Sequence, residues 1–427
     1  MRGRMKRLTA AGAILTAVCA TPVAAQRTAI VAGDVIVDAE RGSIGPAVIL
    51  VEDGRILSVT PGAAVPAGAG DVIDLPGKTV LPGLIDLHVH LTGDPGGDFW
   101  KEAVEPEGWG VIVGVKNAEK TVRAGFTTVR EAGSPGQSAF ALRRGIAEGL
   151  IAGPRIIAAG PALAIIGGHG DVSGFRPEVN EVLSSGFTCT GAVDCAAKVR
   201  RAAQNGSDVI KITATGGVLS QQGRGLEAHF TSAEMQSIAD TAHSLGLNVM
   251  AHAHGARGIE AAARAGIDTI EHGTYLDAAA AKAMRENGTV LVPTLMAFQG
   301  ISERLGKGVY TPVVEEKVRA VAETAKVFLR RAVEWGVPVA FGTDAGVFDH
   351  GRNAGEFRLM MEQGMTSRQA LASATTAAAT VLGMEGEIGR IAPGYAADLI
   401  AVAGNPLTDA TVLESVDWVM ACGRIVD

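Results

Sequence analysis

From Leu81 onward the sequence repeats one unit: a short apolar strand, a loop carrying glycine or charge, then an Ala-rich stretch of helical pattern. Strands are read at 84–90, 127–130, 155–159, 209–213, 248–252, 269–272, 290–294 and 337–343. Between them, 233–244 and 259–265 are amphipathic helices that stop at Gly246 and Gly266, the usual place for a left-handed terminating residue. Parallel strands need such helical crossovers. Eight of them predict an α/β fold, a closed (β/α)8 TIM barrel.

The segment ahead of the barrel has a different texture. Between Thr28 and Val80, short apolar runs such as Val35-Ile36-Val37 and Val48-Ile49-Leu50-Val51 are separated by turns such as Glu52-Asp53-Gly54. Strand-like runs return at Asp398-Leu399-Ile400-Ala401-Val402 and Val416-Asp417-Trp418-Val419-Met420. The expectation is a small composite β-sandwich made from both ends of the chain. Its two parts are placed at 26–80 and 393–427, with the barrel at 81–392.

Residues 1–25 read as a secretory signal: Arg2, Arg4, Lys6 and Arg7 precede an apolar run that ends in Val23-Ala24-Ala25. That run is shorter than the roughly 20 residues needed to span a bilayer, so cleavage before Gln26 and secretion to the periplasm are expected, with no stable membrane anchor. Removing the four positive charges takes the formal charge from -7 to -11, which argues against nucleic acid as a partner. In an oxidising compartment Cys189 and Cys195 either close a small disulfide loop or stay free thiols.

Histidines gather where barrel chemistry is done. His88 and His90 are two apart at the end of the first barrel strand, so both imidazoles share one face and point into the barrel mouth. Barrel interiors are filled by branched apolar side chains. Two imidazoles there are therefore metal ligands, or structural histidines with dedicated partners. Lys211 sits inside Val209-Ile210-Lys211-Ile212-Thr213, a strand otherwise built for burial. Such a lysine either pairs with a buried carboxylate or loses its proton, and a neutral amine can add carbon dioxide to become an anionic carbamate. His252, His272 and Asp344 close the fifth, sixth and eighth expected strands. That end of a barrel carries the active site.

The run Leu81-Pro82-Gly83-Leu84-Ile85-Asp86-Leu87-His88-Val89-His90 closely resembles the opening signature of the amidohydrolase superfamily. The resemblance implies two divalent metal ions, with zinc favoured by the imidazole-rich set. His88 and His90 would hold one with Asp344, His252 and His272 would hold the other, and carboxylated Lys211 would bridge them. It further implies hydrolysis by a metal-bridging hydroxide, with Asp344 as catalytic proton acceptor and donor. His254 shares a face with His252 and is the other candidate ligand, but the His-Ala-His-Gly pattern favours His252 and leaves His254 as a substrate contact.

Gly167-Gly168-His169-Gly170, Gly216-Gly217-Val218 and Ile270-Glu271-His272-Gly273-Thr274 look most like the dipeptidase and carboxypeptidase-like subgroup, which includes prolidase-like and ochratoxin-hydrolysing enzymes. That resemblance gives His169 a contact with the substrate carbonyl. It points to dipeptides or N-acyl amino acids as substrates and to assembly into homo-oligomers. Arg224, in the loop after the fourth strand, is placed to receive a substrate carboxylate or is a solvated surface arginine. A cyclic-amide or imidazolonepropionase-like hydrolase is the second enzyme reading, and a binding protein on a retired barrel is the non-enzyme one.

Overall fold

In the computed structural model, which describes residues 27–106, 108–221 and 225–426, the N-terminal strands are β1 (Arg27–Asp38), β2 (Gly42–Ser43), β3 (Ala47–Glu52), β4 (Arg55–Pro61) and β5 (Asp71–Pro82). The barrel region holds β6 (Leu84–Val89), β7 (Phe126–Glu131), β8 (Arg155–Ala158), β9 (Val209–Thr213), β10 (Asn248–Ala253), β11 (Thr269–His272) and β12 (Val290–Val292). The chain ends with β13 (Leu399–Val402), β14 (Val416–Ala421) and β15 (Arg424–Ile425). The expected signal segment 1–25 lies outside the described residues.

Both chain ends share one sheet, in the order β15-β14-β13-β5-β1-β3-β4, with β2 on β1. Asp53 and Gly54 take positive φ of 50° and 78°, the conformation a two-residue hairpin between β3 and β4 requires. These strands are hydrogen-bonded into one continuous eight-stranded sheet. β1, which takes in the expected run Val35-Ile36-Val37, and β5 are each twelve residues long, and their pairing breaks register between Ala32 and Asp34. At that break the two backbones nearly touch: a Cβ on Gly33 would lie 2.7 Å from Gly77 N. Such irregularities bend a strand, and the sheet has its own core around Ile30, Val35, Ile49, Val80 and Leu399.

The barrel region is TIM-barrel-like. Its parallel strands form two ladders, β6-β7-β8 and β9-β10-β11-β12. Isolated bridges join them, Leu163 with Ile212 on one side, Leu291 with Val339 and Val89 with Ala345 on the other. The expected eighth strand at 337–343 is not a continuous ladder. Pro338 offers no N–H, and Phe341 N donates to Ser373 O instead of to a neighbouring strand.

Helices cover the outside. The helix Ser232–Ser244 opens with a capping box of Thr231 and Glu234, and Gly246 follows it at φ 73°. Cys189 and Cys195 form a disulfide with Cα atoms 5.0 Å apart. No helix among the described residues is long and apolar enough to cross a membrane.

Candidate metal centre

His88 and His90 sit at the end of β6 and just beyond it, and both turn Nε2 toward Asp344 Oδ1, at 3.4 and 3.3 Å. Their other ring nitrogens are occupied. His88 Nδ1–H donates to Glu271 Oε2 at 2.8 Å, and His90 Nδ1–H donates to Gly133 O at 2.8 Å. Bonds of this kind fix the tautomer and leave the Nε2 lone pairs for a cation.

A second group lies beside the first. His252, His254 and His272 bring ligand atoms within 4.8 Å of one another, as His88, His90 and Asp344 also do. His254 Nδ1 lies 2.7 Å from Thr274 Oγ1, and His272 Nδ1 lies 2.7 Å from Thr294 Oγ1, so each leaves Nε2 available. His252 is the reverse, with Nε2 at 3.2 Å from Gly216 O and Nδ1 free to ligate. The groups adjoin through His88 and His272, whose ring centroids are 5.2 Å apart. The expected pair His252 and His272 is thus brought together, with His254 as a third imidazole at the same place.

Lys211 completes the cluster from β9, its Nζ 3.4 Å from His88 Nε2. It is buried, and among the described residues no carboxylate comes within ion-pair distance of it. The carboxylate-paired alternative therefore finds no partner here. Burial pushes its pKa down to about 8. Burial, then the neighbouring Lys211 charge, brings His88 to about 4; burial brings His254 to about 3 and holds His252 and His272 well below the usual value. Against the upward push of burial, His88 and His90 keep the Asp344 carboxyl below its ordinary range. Against the downward pull of burial, Asp344 raises the pKa of His90, whereas the other four imidazoles are held neutral beside an ionised carboxylate, the protonation states that metal ligation needs. The donor set fits two divalent cations.

The backbone is strained here. His272, Thr294 and Asp344 have φ of 72°, 52° and 61°. Non-glycine residues in this region cost about 1–3 kcal/mol each, and such strain clusters at functional sites.

The sequence reading missed the supports. Arg130 and Glu271 are buried beneath His88 and paired at 2.9 Å. The available signal was charge inside strands that are otherwise built for burial, Phe126–Glu131 and Thr269–His272. His169 stacks beside His252 with centroids 4.2 Å apart, and its Nδ1 has no partner among the described residues. Arg224 lies outside the described residues.

Comparison with known proteins decides the family, whose pattern (Amidohydrolase family) matches residues 79–426. The chain belongs to the amidohydrolase family. It is 31% identical over 360 residues to ochratoxinase of Aspergillus niger, covering 78% of this chain and 72% of that one. Among solved structures it is similar to a Xaa-Pro dipeptidase with bound methionine in its active site, at 38% identity and TM-score 0.86, covering 94% of this chain and 99% of the other. It is also similar to a prolidase complexed with N-methylphosphonate-L-proline, at 33% identity and TM-score 0.86, with the same coverage of 94% and 99%. This amidohydrolase membership, with the two ligand groups, supports a hydrolase of carbon–nitrogen bonds that works with metal.

Proposed function

We propose that this amidohydrolase cleaves the amide bond of a dipeptide or an N-acyl amino acid, using two divalent metal ions, zinc first among them, and a carbamate on Lys211. One observation carries the reading: the two ligand groups flank a buried lysine that has no carboxylate partner among the described residues. Metal ions held there would polarise the scissile carbonyl and make the attacking water more acidic. His88, His90 and Asp344 would hold one, His252 and His272 the other, with the Lys211 carbamate between them.

Asp344, ionised and facing both His88 and His90, takes the proton of the attacking water and passes it to the leaving nitrogen. His254, within the second group, and His169, beside His252, orient the substrate carbonyl. The substrate class rests on the likeness to a prolidase, a Xaa-Pro dipeptidase and an ochratoxinase. Export to the periplasm, with a mature chain starting near Gln26, is part of the proposal and agrees with the Cys189–Cys195 bond.

A product-resolved screen of dipeptides and N-acyl amino acids tests this, with bound metal counted in the same preparation. Release of a free amino acid, with activity lost to a chelator and restored by zinc, is the expected result. Turnover of cyclic amides alone would overturn the substrate assignment. Amidating the carboxylate of a good substrate should lower kcat/KM by roughly a hundredfold, the loss expected for a charge-assisted contact.

A further inference from the structure

We propose that Glu356 is a positioning residue for the His252, His254 and His272 group, because it bonds the first amides of the helix Leu295–Arg304 and so releases the Thr294 hydroxyl to hold the His272 ring. The inference rests on the reading that this group binds metal, and it concerns how the group is kept in place.

The helix Leu295–Arg304 starts at Thr294, directly after β12. An N-cap threonine ordinarily has an extended backbone, and its side chain accepts an amide of the first turn. Of the four other N-cap threonines among the described residues, Thr311 and Thr375 make no capping bond and two behave that way. Thr231 (φ -73°) accepts from Glu234 N and Thr366 (φ -76°) accepts from Gln369 N. Thr294 departs on both counts: its backbone is left-handed at φ 52° and ψ 46°, and its side chain makes no capping bond. Its Oγ1 lies instead 2.7 Å from His272 Nδ1. With Nδ1–H donating to that oxygen, the lone pair of His272 is on Nε2, the nitrogen left for a cation.

An N-cap side chain serves the second or third amide of its helix; here the third, Ala297 N, donates to Thr294 O at 3.1 Å, and the second, Met296 N, is left with the first, Leu295 N, to be satisfied from elsewhere. Glu356 does this from another helix, Gly355–Glu362. Its Oε1 accepts from Leu295 N at 2.8 Å and its Oε2 from Met296 N at 2.7 Å. Glu356 is fully buried, and no cation among the described residues is within ion-pair distance of it. Burial without a counter-charge pushes the Glu356 carboxyl well above its ordinary range, against the pull of its two amide bonds. The helix amides, with the positive end of the helix dipole behind them, are what it faces here. The resulting chain runs from Glu356 through the first amides of the helix to Thr294 and then to His272. Each member except His272 lies outside the ligand set.

Titrating metal-free protein with Co2+ and following the visible absorption of each group tests the assignment, with the His88, His90 and Asp344 group as internal reference. Glu356→Gln keeps the shape but turns an NH2 toward one backbone N–H. It should weaken Co2+ binding at the His272 group by about tenfold and shift its absorption, the order seen when an outer partner of a metal-bound histidine is lost. Thr294→Val should do the same, Thr294→Ser should bind as wild type, and the double variant should be no weaker than the weaker single one. A purely structural Glu356 would lower the unfolding midpoint in chelator and leave the Co2+ affinity and spectrum of Glu356→Gln at wild-type values, which would overturn the proposal. So would losses that multiply in the double variant. Should Glu356→Gln not fold, Glu356→Asp, which keeps the carboxyl group but falls short of one amide, replaces it in the same titration with the same two outcomes. Wild-type protein with a normal first site and no second Co2+ would refute the metal reading of the group itself, a result distinct from either of these.

Discussion

Glu271 accepts the Nδ1 proton of His88 on one carboxylate oxygen, at 2.8 Å, while its other oxygen accepts from Arg130 Nη2 at 2.9 Å. Arg130 also donates from Nε to the carbonyl of Leu87, the residue before His88, at 2.7 Å. The guanidinium thus steadies His88 from two sides, once through its backbone and once through its ring. All three side chains are buried, where an ion pair is held by geometry and additional hydrogen bonds more than by bare attraction.

Glu271→Gln should therefore be severe. It leaves the Arg130 charge buried without its partner, which costs about 3–5 kcal/mol, and it turns an amide toward a ring that must donate. Chemical unfolding in chelator should show the loss of stability, and metal titration a weakened His88 group. The same pair gives a pH signature. Although burial pushes the Glu271 carboxyl up, Arg130 and the His88 bond bring it from 4.5 down to about 2. A depressed carboxyl stabilises the fold fully above its unfolded value, and that stabilisation is lost as pH falls from about 4.5 toward 2. The wild-type stability curve should fall more steeply through this window than that of Glu271→Gln. Parallel curves would show that the pair contributes nothing there.

Lys211 carries the next expectation. With its pKa brought down to about 8 by burial, a large fraction is neutral amine at mildly alkaline pH, the form that adds carbon dioxide. Reconstitution of metal-free protein should be faster with added bicarbonate than in degassed buffer, and the difference should widen from pH 7 to pH 8. Lys211→Ala should bind fewer metal ions and lose turnover, with partial rescue by a small carboxylic acid. Two tightly held metals and full activity in Lys211→Ala would end the bridging assignment.

Most of what the sequence made legible was local. Strand periodicity and glycine stops marked seven of the eight expected barrel strands, and strand ends marked His88, His90, Lys211, His252, His272 and Asp344 as one neighbourhood. The eighth segment lies where expected and bonds both neighbours, Leu291 on one side and Leu87 and His88 on the other, but only through isolated bridges, because Phe341 N turns to Ser373 O, whose proximity no local pattern announces. In the composite β domain the length of β1 was not legible, because a register break between Ala32 and Asp34 lets one long strand continue through Gly33 past the short run Val35-Ile36-Val37. The supports under the ligands, Arg130 with Glu271 and Glu356 with the amides of Leu295 and Met296, were hidden for the same reason. Each is a contact between residues 60 or more positions apart.

Asp344→Asn should remove most turnover, by about 10²–10⁴-fold, because the amide keeps size but cannot accept the proton of the attacking water. The choice of Asn also respects the backbone. Position 344 has φ 61°, and asparagine tolerates that region better than most residues. Folding should thus be little disturbed, so that a thermal midpoint near wild type with kcat collapsed is the expected pair of results. Wild-type kcat in Asp344→Asn would remove the residue from the proton-transfer role.

Gly217→Ala separates the substrate side of the site from the metal side. A Cβ at position 217 would lie 2.2 Å from both Cε1 and Nδ1 of His169, so the methyl group and the imidazole cannot occupy their places together. Gly217 is not at a positive φ, and the substitution therefore acts through this collision and not through backbone strain. Among the described residues His169 has no hydrogen bond, ion pair or ring contact with His88, His90 or Asp344, and it meets His252 at a tilt of 40°, with 4.2 Å between centroids. Displacing it should leave the metal content unchanged and lower kcat/KM by roughly tenfold to a hundredfold, the range in which a displaced orienting group is felt. His169→Ala should show a loss of the same size, and adding Gly217→Ala to it should cost little more, since the clash has then been removed. If Gly217→Ala instead sheds metal, or turns over substrate at the wild-type rate with its histidine displaced, His169 has no part in orienting the carbonyl.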